Sequence, residues 1–226
     1  FIGTFMLVFV GAGAVAATSV FQPNVVVIAA AFAHALILAS IISTYGHISG
    51  AHVNPAVTLG LLIGGKIELN KALIYMVAQI IGGILAALVL RIVLTDVGNA
   101  IQTLGQTAPN KGINELDIFV IEAILTFFLV SAVYQNAVYG RGGNLAALYI
   151  PFTLAACILI GGTLTGASLN PARTLGPALL AEDVQDFGEV LVYLAAIFTG
   201  GALAGIVHTD DAFVSEETLP AAKKKK

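Results

Sequence analysis

One segment occurs twice in this chain, and this repeat limits the possible folds more than any other feature. Residues 50–60 (GAHVNPAVTLG) recur as residues 166–176 (GASLNPARTLG), and the two copies differ only at His52/Ser168, Val53/Leu169 and Val57/Arg173. An internal repeat of this kind indicates that both halves of a chain form the same structural unit. Each copy contains an Asn-Pro-Ala box, formed by Asn54, Pro55 and Ala56 in the first half and by Asn170, Pro171 and Ala172 in the second.

The sequence around the two boxes is strongly apolar. Hydrophobic residues make up 58% of the chain and charged residues 10%, whereas soluble domains carry roughly 25% charged residues. Crossing about 30 Å of hydrocarbon takes about 20 apolar residues. Six runs meet this requirement and predict an all-α membrane protein: the run that opens the chain, Val25 to Tyr45, Ala72 to Leu94, Ile118 to Val138, Leu145 to Leu164, and Val190 to Val207.

The positions of the boxes predict an inverted repeat. Each half has three apolar runs, with its box between the second and the third. Because three is odd, the second half enters the membrane from the opposite side, and inversion relates the halves. We predict one transmembrane domain over residues 1–208, with repeats at 1–94 and 117–208, and a polar, disordered tail at 209–226 that ends in four lysines. The chain opens inside its first apolar run, which indicates a trimmed N-terminus.

Each box begins an apolar segment too short to cross the membrane. These segments end near Ile63 and Leu180. Asparagine is a favoured N-cap and proline is favoured at the first helical position, so Asn-Pro predicts a helix start. Loop backbone at membrane depth is tolerated only where it is buried in protein or lines a water-filled cavity. We therefore predict two re-entrant half-helices whose positive N-terminal ends meet near the midplane.

The paired boxes, Arg173 directly after the second, and the segment GHISGAH at residues 46–52 before the first are similar to the aquaporin (major intrinsic protein) family. The resemblance covers residues 1–207 and suggests a microbial or archaeal branch. It implies the aquaporin-like fold, with six transmembrane helices and two half-helices. It also implies a homotetramer in the plasma membrane and a passive channel for water that excludes protons and ions.

The resemblance also implies roles for particular residues. The amides of Asn54 and Asn170 would donate to passing water, and His34, Ile158, Ala167 and Arg173 would form the selectivity filter. This combination is similar to a plant vacuolar subtype that often passes more than water, so ammonia, glycerol and urea are further candidate solutes. His52 and Glu122 would support the loops behind the half-helices.

Several of these residues have an alternative interpretation, in most cases a purely structural role. His34 is alternatively a hydrogen-bonded histidine inside the helix bundle, and Arg173 a structural partner of a loop acid. Both asparagines would cap their helices in any case. His52 and Glu122 are alternatively in contact with the pore.

Other functional classes find less support. Glycerol facilitators tend to carry Trp in the filter and Asp after the arginine, whereas this chain has no Trp and has Thr174 there, although Leu194 resembles facilitators. A secondary transporter needs coupling-ion sites, and Glu122 is the one acid within the predicted spans. We find no metal-ligand cluster or nucleophile–base pair, so we predict no enzyme and no cofactor. The net charge of −3 gives no indication of a nucleic-acid partner.

Overall fold

The computed structural model describes residues 1–209, which form helices joined by short loops, without a strand among them. The nine α-helices of this part of the chain are α1 (Ile2–Phe21), α2 (Val26–Ser49), α3 (Pro55–Ile63), α4 (Leu69–Val93), α5 (Ala100–Thr103), α6 (Glu115–Val133), α7 (Ala146–Gly161), α8 (Pro171–Leu180) and α9 (Phe187–Val207). The predicted tail lies outside the described residues apart from Thr209.

Six of these helices, α1, α2, α4, α6, α7 and α9, are long and apolar enough to cross a membrane, α7 together with the 3-10 turn Gly143–Leu145 that precedes it. Many of their large apolar side chains are exposed, including Phe32, Leu36, Ile74 and Ile92. Such surfaces are stable against lipid and not against water. The predicted fold class, with six spans and two half-helices, is confirmed.

The half-helices α3 and α8 start as the Asn-Pro pattern predicts. The Asn54 side chain accepts a hydrogen bond from the Ala56 amide, and Pro55 takes the first helical position. Asn170 and Pro171 do the same for α8. The helices end at Ile63 and Leu180, as predicted from the sequence.

The two halves of the chain interlock through the half-helices. α3 packs against α9, and α8 packs against α4, so each half-helix lies against a long helix from the other half. Glycines permit these contacts. A Cβ at Gly83 in α4 would lie 2.4 Å from the Ala172 carbonyl oxygen, and one at Gly201 in α9 would lie 2.5 Å from the Ala56 carbonyl oxygen. Small residues of this kind let transmembrane backbones approach closely.

The end of α6 changes its helix type. Residues Tyr134–Val138 form a π-helical turn, in which the Tyr139 amide donates to the Tyr134 carbonyl at 2.9 Å. The Tyr134 hydroxyl donates to the Gly60 carbonyl in α3 at 2.8 Å, and its ring stacks on the His208 ring at the end of α9. The turn is therefore attached to both helices. The sequence predicted a span reaching Val138 but not this change of helix type, which functional sites often carry.

We expect Gly83→Ala to destabilise the protein by about 1–3 kcal/mol, because the added methyl group would collide with the backbone of α8. Thermal unfolding in detergent micelles measures the effect. Gly46→Ala is the matched control, since a Cβ there meets its nearest atom, Cγ2 of Ile42, at an ordinary 3.7 Å. Equal stability of the two variants would contradict the packing argument.

Candidate functional site

The loops that lead into the two half-helices have the same unusual backbone. Gly50 and Gly166 both have φ of 79°. Two further residues in each loop adopt positive φ without being glycine: Ala51 (48°), Val53 (41°), Ala167 (48°) and Leu169 (55°). A β-branched residue such as Val53 is a clear outlier in this region. Backbone strain of this kind persists only where the surrounding structure enforces it, and it concentrates at functional sites.

The two box asparagines enforce this loop geometry on each other. Nδ2 of Asn54 donates to the Leu169 carbonyl at 2.8 Å, and Nδ2 of Asn170 donates to the Val53 carbonyl at 2.9 Å. Each side chain thus caps its own half-helix with its oxygen and binds the strained loop of the other half with its nitrogen. An amide nitrogen carries two hydrogens, so one N–H on each asparagine is still available to a third partner.

Glu122 holds the loop before α8 from behind. Its carboxylate accepts hydrogen bonds from the Thr165 hydroxyl at 2.7 Å and from the backbone amides of Ser168 and Leu169 at 3.0 and 2.9 Å. The side chain is fully buried in α6. All three bonds go to the loop, and Glu122 does not line the cavity described below.

His52 lies in the loop before α3, at the position that Ser168 takes in the second half. Its Nδ1 lies 3.1 Å from the Thr58 hydroxyl, which is also bonded to Gln79, and its ring packs edge-on against Tyr75. Unlike Glu122, His52 also lines the cavity. The structure therefore gives this residue both the packing of a support and contact with the lumen.

A cavity of about 200 Å³ lies within the helix bundle. At the end that we call the outer end it is lined by His34 and Arg173, and at the inner end by Ala137 and Val138 of the π-helical turn. Asn54 and Asn170 both line it. The other two predicted filter residues, Ile158 and Ala167, are buried in the neighbouring apolar core and are not part of the cavity wall. Their role in the filter stays a prediction.

Comparison with known proteins agrees with this geometry. The family model described as "Major intrinsic protein" matches residues 1–208. A probable TIP-type aquaporin from Nicotiana tabacum, RB7-5A, is 38% identical over 99% of this chain and 89% of its own length. Aquaporin TIP1-1 from Zea mays is 39% identical over 98% of this chain and 88% of its own length. This chain belongs to the major intrinsic protein family.

A solved structure has the same fold as this family member. The X-ray structure of the aquaglyceroporin from Plasmodium falciparum superposes with a TM-score of 0.79, covers 92% of each chain and is 25% identical. The predicted relationship to aquaporins is thus confirmed. The suggestion of a microbial or archaeal branch stays a prediction.

The orientation of His34 in this family member depends on a glycine that the sequence analysis missed. Nδ1 of His34 lies 2.8 Å from the Ala30 carbonyl, which can only accept, so Nδ1 carries the proton and Nε2 of the neutral ring is an acceptor. A Cβ on Gly11 would lie 2.3 Å from Nε2. Gly11 therefore makes the space that the imidazole ring occupies. The residue lies within an apolar run, and only its contact with α2 reveals its importance.

Arg173 brings a charged group to the outer end of the cavity. Its residue is 3% exposed, and its Nε and Nη1 atoms have no hydrogen-bond partner among residues 1–209. A buried guanidinium with unpaired N–H groups is costly unless water or a solute satisfies it. Nε and Nη1 are themselves buried, so another part of the side chain lines the cavity and can meet a molecule in the lumen.

We expect Gly11→Ala to lower water permeability, because the new methyl group displaces the His34 ring into the lumen. Osmotic shrinkage of proteoliposomes measures the effect. Gly13→Ala is the matched control on the same helix, since a Cβ there meets only the methyl end of Leu90, which can move. The double variant Gly11→Ala/His34→Ala should regain water flow, and failure to do so would place the effect of Gly11 elsewhere.

Proposed function

We propose that this protein is a passive channel for water and for small uncharged solutes, with ammonia, glycerol and urea as candidates, and that it excludes protons and ions. One observation carries the proposal: Asn54 and Asn170 line one cavity, each with its amide fixed by the loop of the other half. The remaining N–H groups would donate to a passing water oxygen. A water held by two donors in this way cannot accept the next proton of a relay.

The half-helices support ion exclusion. α3 and α8 begin at these same asparagines, so their N-terminal ends, each worth about half an elementary charge before screening, lie at the lumen. Arg173 adds a full positive charge at the outer end. Pore diameter, lining donors and helix dipoles are the general means by which aquaporin-type channels select. Together these groups would repel cations without a bound ion.

The proposed selectivity filter is formed by His34, Ile158, Ala167 and Arg173. His34 contributes an acceptor at Nε2 and Arg173 contributes donors, so a small polar solute could form hydrogen bonds with both. Ile158 and Ala167 do not line the described cavity and belong to the proposed filter on the family resemblance alone. Such a filter would admit more than water, which supports ammonia and glycerol as test solutes.

A glycerol-type facilitator is the second candidate. The solved neighbour from Plasmodium falciparum is an aquaglyceroporin, whereas Thr174 and the lack of Trp in this chain argue against that subtype. A secondary transporter is disfavoured because the Glu122 carboxylate is bonded to the loop and lies outside the cavity wall. Enzymatic activity is not part of the proposal.

The proposal includes the organisation of the protein. Residues 1–208 would form one channel domain built from repeats at 1–94 and 117–208, and four copies would assemble in the plasma membrane, each with its own pore. The interlocking of α3 with α9 and of α8 with α4 supports a single domain. The tetramer and the plasma membrane rest on the family resemblance.

Stopped-flow light scattering on proteoliposomes tests the function, with water, glycerol, urea and ammonia measured in parallel. We expect fast osmotic water flow, measurable flux of at least one of the three solutes, and no proton current by a pH-sensitive dye. Empty liposomes are the control. A proton flux comparable to the water flux would overturn the proposal, and a flux that needs an ion gradient would favour a transporter.

We expect Arg173→Val to raise glycerol and urea flux several-fold and to admit small cations, because the substitution removes both a fixed charge and the bulk of a long side chain from the outer end. The same liposome assays, with a cation-sensitive dye added, measure it. Arg91→Val is a control outside the cavity wall, since Arg91 lies in the last turn of α4 and donates to the Leu180 carbonyl. An unchanged solute profile would show that Arg173 does not select.

A further inference from the structure

The inverted repeat relates each position at the outer end of the cavity to a position at the inner end. The register that pairs Asn54 with Asn170 also pairs Leu38 in α2 with Leu154 in α7. Both leucines line the cavity. The reciprocal bonds of Asn54 and Asn170 show that the same relation holds in three dimensions. The relation can therefore be applied to the four proposed filter positions.

At the inner end, an aliphatic residue occupies the position equivalent to each polar filter residue. His34 is paired with Ile150 and Arg173 with Val57, while Ile158 and Ala167 are paired with Ile42 and Ala51. We call Ile42, Ala51, Val57 and Ile150 the inner ring. All four line the cavity. Ile42 is two turns beyond His34 along α2, about 12 Å away at the rise of an α-helix.

The repeat also pairs residues of α1 with residues of α6, and these pairs show which side chains lie around the inner ring. The register that pairs Thr4 with Thr126 also pairs Leu7 with Leu129, and these two leucines both line the cavity. It pairs Gly11, which makes room for the His34 ring, with Val133. Val133 also lines the cavity. The inner end therefore has a branched side chain, Val133, at the position where the outer end has Gly11.

His52 follows Ala51 of the inner ring in the sequence, and its polar side chain also lines the cavity. Its Nδ1 is engaged by the Thr58 hydroxyl, and Tyr75 packs against its ring. The side chains of the inner ring itself offer neither donor nor acceptor. A solute at this level gives up hydrogen bonds to water that these side chains do not replace, and the loss grows with the number of its polar groups.

We propose that the inner ring is a second selectivity element, which acts on the polarity of a solute and not on its width. This inference rests on the proposed function as a channel. The outer end selects by hydrogen bonding and charge, whereas the inner ring retards solutes with several hydroxyl or amide groups more than it retards water or ammonia. Val57 is the most informative position, because it takes the place of Arg173.

Two substitutions at Val57 distinguish the effect of the polarity of the inner ring from the effect of its width. Val57→Thr replaces a methyl group by a hydroxyl at nearly constant size, and Val57→Ala widens the ring but leaves it apolar. We expect Val57→Thr to raise the ratio of glycerol to water permeability by about two- to tenfold, the range that one added hydrogen bond of ordinary net strength would give. Val57→Ala should change this ratio less. Val77→Thr, on the exposed face of α4 and outside the cavity wall, is the control for a hydroxyl in the membrane.

Each outcome of the experiment decides the question. A larger effect of Val57→Thr than of Val57→Ala supports the inference, and an equal or larger effect of Val57→Ala shows that width controls passage and overturns it. No change in either variant shows that the inner ring does not select. The ratio is measured only in vesicles that pass water, so failure of the proposed function would appear separately, as wild-type vesicles without water flow.

A second position guards against a folding defect in α3. Ile42→Thr and Ile42→Val remove similar volume from α2, and only the first adds a hydroxyl. We expect the glycerol-to-water ratio to rise for Ile42→Thr above that of Ile42→Val. Equal ratios for these two variants would overturn the inference even if the Val57 variants were poorly folded.

Discussion

Two hydrogen bonds between the halves of the chain fix the centre of this protein. Each box asparagine holds the carbonyl of a strained residue in the opposite loop, Val53 in one direction and Leu169 in the other. These bonds help to compensate the strain of the left-handed backbone at Val53 and Leu169, and Glu122 adds a further bond at the Leu169 amide. The bonds also fix the direction of the amides and the meeting point of the half-helices, on which the proton and ion barrier of the proposed channel depends.

Close packing of backbones makes these bonds possible. Gly83 and Gly201 let α4 and α9 approach the half-helices of the opposite halves, where no side chain would fit. Glu122 then satisfies the amides of one loop, and the network of His52, Thr58 and Gln79 packs beside the other. Part of this support follows the repeat, since His52 contacts Thr58 in one half and Ser168 contacts Thr174 in the other.

Sequence patterns predicted the parts of the fold that local chemistry determines. The half-helices begin at Asn-Pro because capping and a fixed φ are local properties, and the spans follow from the length of apolar runs. The bond from Asn54 to Leu169 could not be predicted, because it joins residues far apart in the chain. Gly11 was missed for the same reason, since its importance depends on the His34 ring in another helix. The π-helical turn at Tyr134–Val138 depends on contacts with α3 and α9 that leave no signature in residues 134–138.

The packing of α3 against α9 has a consequence for the order of assembly. α3 is made early, but the helix against which it mainly packs is α9, the last described helix of the chain. α8, in contrast, finds α4 already in the membrane when it is made. During synthesis the first re-entrant segment therefore completes its packing only after α9 has been made, while the second can pack against α4 at once. A nascent chain that stops before α9 lacks the helix against which its first half-helix mainly packs, even though all of the first Asn-Pro-Ala box has already been made.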